Sequence, residues 1–245
     1  MKPNRSYTIW FAQRTGSTLL SQALASTGVA GNPADWLEFH VRRDQSGMEQ
    51  LNHILESGTS ANGVFGMKHS PNRNDLEQWL SWFQKELQLP EGLTRPRIWE
   101  SVFPNCRHIY MTRRNKVRLA VSWWRAIVSG EWHREHGAKP KQADTKDRYS
   151  LDAINHLIQE AVMRESWMAE FFAEERITPL TVVYEDFILD YEGTVRGLLK
   201  YLEIPEADNV TIAPPYYDGI ADDIAEEWVQ RYREERQKGW TNVAW

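Results

Sequence analysis

A chain of 245 residues that is 41% hydrophobic and 26% charged can bury a full core without staples, and its lone cysteine, Cys106, excludes a disulfide framework and a multi-thiolate zinc site. Twenty-nine Lys and Arg against 34 Asp and Glu leave a net charge of −5, which argues against general nucleic-acid binding and makes any anion site a local one. No stretch approaches the roughly 20 apolar residues of a membrane span, and the first apolar run is too short for a secretory signal, so the cytoplasm is the expected location. In chain order, Tyr7 to Ala12 reads as a strand that breaks at QRTGS and continues as a helix over Ser17 to Thr27. Val64 to Met67 is a second strand, followed by a helix over Asp75 to Glu86. A third strand, His108 to Thr112, leads into a helix over Asn115 to Val128. Residues 131–148 are almost devoid of apolar side chains and hold Gly137 and Pro140, the composition of a long exposed loop or lid. A helix over Asp152 to Phe172, a fourth strand over Leu180 to Tyr184, and helices over Thr194 to Leu202 and Asp223 to Arg236 complete the chain. Strands alternating with longer helices predict an α/β fold, a mostly parallel sheet covered on both faces, in a single domain. Cys106 is expected in the core, and some of the 12 tryptophans are expected to line a pocket.

The loop after the first strand carries the chemistry. Ligands of open α/β sheets sit beyond the carboxyl ends of the strands, where a loop entering a helix offers backbone N–H groups and a positive dipole end. Gln13, Arg14, Thr15, Gly16, Ser17 and Thr18 suit an anion there: Gly16 allows close approach, Ser17 and Thr18 bring hydroxyls, and Arg14 brings a guanidinium fork. The alternative is an ordinary glycine turn with a serine N-cap. A Walker A loop would need a lysine before the Ser/Thr pair, and none is there, which weakens a kinase or NTPase reading. A second anion site is suggested by Ser122, with Arg118 and Arg125 on the same helical stripe; the alternative is a solvated face whose arginines pair with carboxylates.

The runs FAQRTGSTLLSQALASTGVAGNPADW, FGMK and RRNKVRLAVSWWRA, with looser matches at VVYEDF and EEWVQRYREE, resemble the bacterial trehalose 2-sulfotransferase family, a branch of the P-loop-like sulfotransferases. The resemblance implies a cytosolic, homodimeric enzyme that moves a sulfuryl group from 3′-phosphoadenosine 5′-phosphosulfate (PAPS) to a small hydroxylated acceptor, a sugar or alcohol, without a metal. It implies that the 5′ end of the donor lies in the Arg14 to Thr18 loop, that Arg113 and Ser122 meet the 3′-phosphate, and that Lys68 matches the family's lysine. The family's base is a glutamate two residues after the proline of the turn that follows the first helix; here that position is Asp35, shorter by one methylene. Asp35 is also open to a plainer reading, as the third residue of a helix capped by Asn32 and begun by Pro33. Glu38 is the rival carboxylate, and Trp36 and Glu38 are expected on the acceptor side. Where the family carries arginines before the Glu-Trp-Val element, this chain has Gly219 and Ile224. His133 and His136 lack the His-Glu-x-x-His order of a zinc helix, and there is no Gly-x-Ser-x-Gly elbow. The rivals are a small-molecule kinase and a non-catalytic sensor of adenosine 3′,5′-bisphosphate.

Overall fold

The computed structural model describes residues 3–39, 46–139, 141, 146–236 and 238–239. The elements run β1 (Arg5–Phe11), α1 (Ser17–Ser26), α2 (Trp36–Phe39), α3 (Gly47–Gly58), β2 (Val64–His69), α4 (Arg73–Glu86), α5 (Arg95–Val102) and β3 (Cys106–Thr112). After these come α6 (Lys116–Ser129), α7 (Leu151–Glu174), β4 (Leu180–Val183), α8 (Tyr184–Leu189), α9 (Tyr191–Tyr201) and α10 (Asp223–Arg236). The chain divides into two compact units, residues 1–114 with 163–216 and residues 115–162 with 217–245.

The first unit holds a four-stranded sheet in the order β2-β1-β3-β4, with parallel pairing throughout, as the alternation of strands and helices predicts. Because β1 lies between β2 and β3, the chain leaves it in opposite directions, and the carboxyl ends of β1 and β3 meet at a topological switch point. Strand alternation sorts the side chains into two layers. Tyr7, Ile9 and Phe11 join a core with Leu20 and Leu24 of α1 and Leu198 and Leu199 of α9. On the other face Trp10, Phe65 and Met67 join Leu80 of α4, Trp99 of α5 and Phe171 of α7. Buried indoles need a partner for N–H: Trp10 Nε1 donates to His108 Nδ1 at 2.9 Å, and Trp99 Nε1 donates to Thr8 Oγ1 at 3.1 Å. Cys106 is only half-buried, 3.5 Å from Thr8 Oγ1, and stands at the margin of this core rather than within it.

Among the helices of this unit that no prediction covers, two have clear start signals. α3 is opened by a reciprocal capping box between Ser46 and Glu49, and α5 by Thr94 with Pro96 in its first turn. Asn72 accepts from the Asp75 N–H at 3.0 Å, which starts α4 ahead of its predicted first residue.

In the second unit α6 is capped by Asn115, whose Oδ1 accepts from Arg118 N at 3.0 Å, and it packs on α10. Arg118 pairs with Glu226 and Arg125 with Asp222, each at 2.6 Å, so the two arginines that flank Ser122 hold carboxylate partners. Of residues 131–148, positions 140 and 142–145 lie outside the described residues. The remainder is mostly exposed yet tied down: Arg134 binds Glu131 at 2.9 and 2.8 Å, and His136 meets Asp218 at 2.7 Å. No described helix is long and apolar enough to cross a membrane.

Candidate active site

Residues from the ends of three adjacent strands converge in the first unit. Beyond β1, Thr15 Oγ1 donates to Ala12 O at 2.8 Å and tightens the turn, while Arg14 adopts a left-handed backbone at φ 66° and Gly16 another at φ 86°. A Cβ on Gly16 would stand 2.6 Å from the Tyr184 ring, so both the dihedral and the space require glycine. Gly16 is the N-cap of α1 and brings no side-chain cap, which answers the serine-cap alternative: Ser17, buried, and Thr18 are the first residues of the helix itself.

Two arginines face this loop. Arg113, just beyond β3, donates from NH1 to Arg14 O at 3.4 Å and lies over the Tyr184 ring at 4.5 Å, with Glu185 3.9 Å away. Desolvation and the neighbouring Arg113 charge bring the Arg14 guanidinium down to about 10, partly offset by Tyr184. Two partly desolvated cations that disfavour each other form a cradle that an anion relieves.

The end of β2 supplies the third wall. Lys68 points to the α1 face, with Nζ 2.5 Å from Asp35 Oδ2, 3.4 Å from Thr18 Oγ1 and 5.0 Å from the Phe11 ring centre. The side chains of Lys68 and Asp35 are only 10% and 17% exposed. Asp35 reaches it because residues 32–35 are extended, not helical: Ala34 bridges Met67 in parallel, and Lys68 N donates to Ala34 O at 3.0 Å. The helix begins only at Trp36, which removes the reading of Asp35 as a third helical residue. Glu38 follows one turn later, its carboxyl raised above the ordinary range by desolvation and by Asp35, against the pull of Lys68 and Arg164.

Trp36 packs inside the second core layer. It is 5% exposed in the core, and its Nε1 donates to Asn32 O at 3.0 Å and Gly66 O at 3.2 Å. Trp123 is likewise buried, and Trp124 Nε1 donates to Arg148 O at 2.7 Å. Ser122 is half-buried on α6, in the second unit. Sequence reasoning missed Tyr184, which closes over Gly16 from a strand end 168 positions away (184 − 16) and leaves no local signal.

A parallel α/β sheet whose switch point presents open helix N–H groups, two arginines and a buried lysine–carboxylate pair is equipped to hold an anionic group and transfer it. The Stf0 sulphotransferase family model matches residues 6–235, and the chain belongs to that family; it is a sulfotransferase. It is 28% identical to "Trehalose 2-sulfotransferase" of Mycobacterium tuberculosis (strain ATCC 35801 / TMC 107 / Erdman), over 94% of this chain and 95% of that protein. It is also 28% identical to the protein of the same name from Mycolicibacterium smegmatis (strain ATCC 700084 / mc(2)155), over 95% and 96% respectively. Similar solved structures include a sulfotransferase from Alicyclobacillus acidocaldarius, with a TM-score of 0.48 and 15% identity over 96% of this chain and 93% of that one. Another is the sulfotransferase domain of the Synechococcus PCC 7002 olefin synthase, with a TM-score of 0.47 and 15% identity over 95% and 88%.

Proposed function

We propose that this sulfotransferase uses PAPS and sulfates a hydroxyl of a small carbohydrate, with trehalose the first acceptor to test because the curated relatives bear its name. The observation that supports this most directly is the continuous contact from Asp35 through Lys68 to Thr18, which joins a carboxylate to the anion loop. The donor supplies an activated sulfuryl group. Arg14, Thr15, Gly16, Ser17 and Thr18 bind its 5′ end, and Arg113 its 3′-phosphate. Ser122 retains the phosphate-binding role that the resemblance implies, to be tested by its own substitution.

Asp35 takes the proton of the acceptor hydroxyl as the new O–S bond forms. Lys68 and Arg14 stabilise the negative charge that grows on the phosphate oxygen as the old S–O bond breaks. The cations needed are the chain's own, so turnover is expected to survive excess EDTA. A single domain is the working unit in this reading, since one family model spans both compact units. A homodimer is the assembly that the resemblance implies.

The test is to incubate the full chain with PAPS and a panel of sugars that includes trehalose, in EDTA, and to read products by mass spectrometry. A monosulfated sugar with release of adenosine 3′,5′-bisphosphate is expected. Phosphoryl transfer from ATP that requires Mg²⁺ would replace the reading with a kinase, and tight bisphosphate binding without any sulfated product would replace it with a sensor.

A further inference from the structure

Gln13 is the loop residue that the proposed donor site leaves out, and its carboxamide is oriented from outside the loop. Arg164 NH1 donates to Ser70 O at 3.0 Å and to Ser70 Oγ at 3.1 Å. A guanidinium has no acceptor, so the serine oxygen receives this bond and the serine proton is left to be given onward. Ser70 Oγ donates to Gln13 Oε1 at 3.0 Å. The bonds run from Arg164 to Ser70 to Gln13, and with Oε1 engaged in this arrangement the Gln13 NH₂ group and its two donors are turned away from the relay. The hinge of this relay is sealed, Ser70 being only 2% exposed.

Its position says what those donors meet. Gln13 directly precedes Arg14, and Ser70 lies two residues beyond Lys68, the partner of Asp35. At the far end, the Arg164 charge bears on the Glu38 carboxyl. The relay thus joins the loop to the carboxylate side of the site. We propose that Gln13 binds the acceptor, donating from Nε2 to a hydroxyl oxygen beside the one that reacts, and that Ser70 and Arg164 are positioning residues that keep the amide from flipping. This rests on the sulfuryl-transfer reading of the same site. The ligand class is a polyhydroxylated molecule offering a second oxygen near its reactive hydroxyl.

The experiment compares Gln13→Met, Ser70→Ala and Ser70→Thr by steady-state kinetics with trehalose and by calorimetry with adenosine 3′,5′-bisphosphate. Gln13→Met keeps the length and removes the donors, and is expected to raise acceptor KM about 5- to 100-fold. Ser70→Ala is expected to raise it about three- to tenfold, with Ser70→Thr restoring it, while kcat falls less and bisphosphate affinity stays within about twofold. A merely structural role would not split KM from kcat in this way. A second measurement needs no turnover: the Gln13 side-chain ¹H–¹⁵N pair, assigned by its loss in Gln13→Met, is expected to shift when trehalose is added to the bisphosphate-loaded protein. An unmoved amide, an unchanged KM in Ser70→Ala, or a loss confined to bisphosphate affinity would overturn the proposal. An amide that shifts in a protein that transfers no sulfuryl group would instead overturn the functional reading and keep the Gln13 contact.

Discussion

At the scale of single residues, the proposed mechanism gives Asp35 to the acceptor and Arg113 to the donor. Asp35→Asn is expected to lower kcat by about 10² to 10⁴ while leaving bisphosphate affinity nearly intact, because the carboxylate is asked to take a proton only in the transition state. The substitution also leaves the Lys68 ammonium without its ion partner, so the melting temperature is expected to fall as well; calorimetry with the bisphosphate separates the two effects. Full activity in Asp35→Asn alongside a dead Glu38→Gln would move the base by one turn. Arg113→Ala is expected to weaken bisphosphate binding about ten- to hundredfold and to erase most of its advantage over AMP, as read by titration of both nucleotides. Arg14 and Gly16 could be picked out in the sequence because the loop between a strand and a helix exposes them, whereas Lys68 and Asp35 were reached through the family resemblance. Ser70 and Arg164 could not, since they meet across 94 positions (164 − 70) and neither belongs to a periodic run that singles it out. The burial of Trp36 was not legible either: only the fold shows that Asn32 O and Gly66 O take its N–H.

At the scale of elements, the turn after α1 decides where Asp35 lies. Gly31 sits at φ 70°, and a Cβ there would come within 2.6 Å of Gly66 N, 2.8 Å of Gly58 O and 2.9 Å of Val64 O, all backbone atoms that cannot swing aside. The Asn32 N–H is held by Gly58 O at 2.9 Å, and from there the chain runs beside β2 to Asp35. Gly31→Ala is expected to cost about 2 kcal/mol or more in urea unfolding, from the strained dihedral and the clash together. Because the displaced segment carries the proposed base, turnover is expected to drop further than bisphosphate affinity does. The four strands and the larger helices were visible in the sequence through their apolar runs and 3.6-residue periods. α3 and α5 escaped because their apolar stripes are narrow, although the Ser-x-x-Glu box at Ser46 and the Thr-Arg-Pro opening at Thr94 were there to be read as start signals. The four residues of α2 are too few for any period to show.

At the scale of the whole molecule, two buried histidines set the response to acid. Burial, with Arg164 adding to it, holds His69 down to about 3, and burial holds His108 down to about 4. The unfolded chain takes up protons near 6.5 that the folded one refuses, so the stability these residues contribute is complete above that pH and is lost as pH falls toward 4 and then 3. Each is expected to add up to about 1.4 kcal/mol per pH unit to the slope below pH 6.5. Urea titrations at pH 7, 6 and 5 measure it. His69→Leu and His108→Gln, the latter keeping an acceptor for Trp10, are each expected to flatten the curve, and an unchanged slope in both would show that other groups govern it. The same neighbourhood has an optical consequence. Trp10 and Trp99 lie 5.0 Å apart between ring centres, tilted by 41°, close enough for their electronic transitions to mix and to give paired bands of opposite sign in circular dichroism. Trp10 stands three residues before Gln13, so the strand that leads into this loop also carries one half of a built-in chromophore pair.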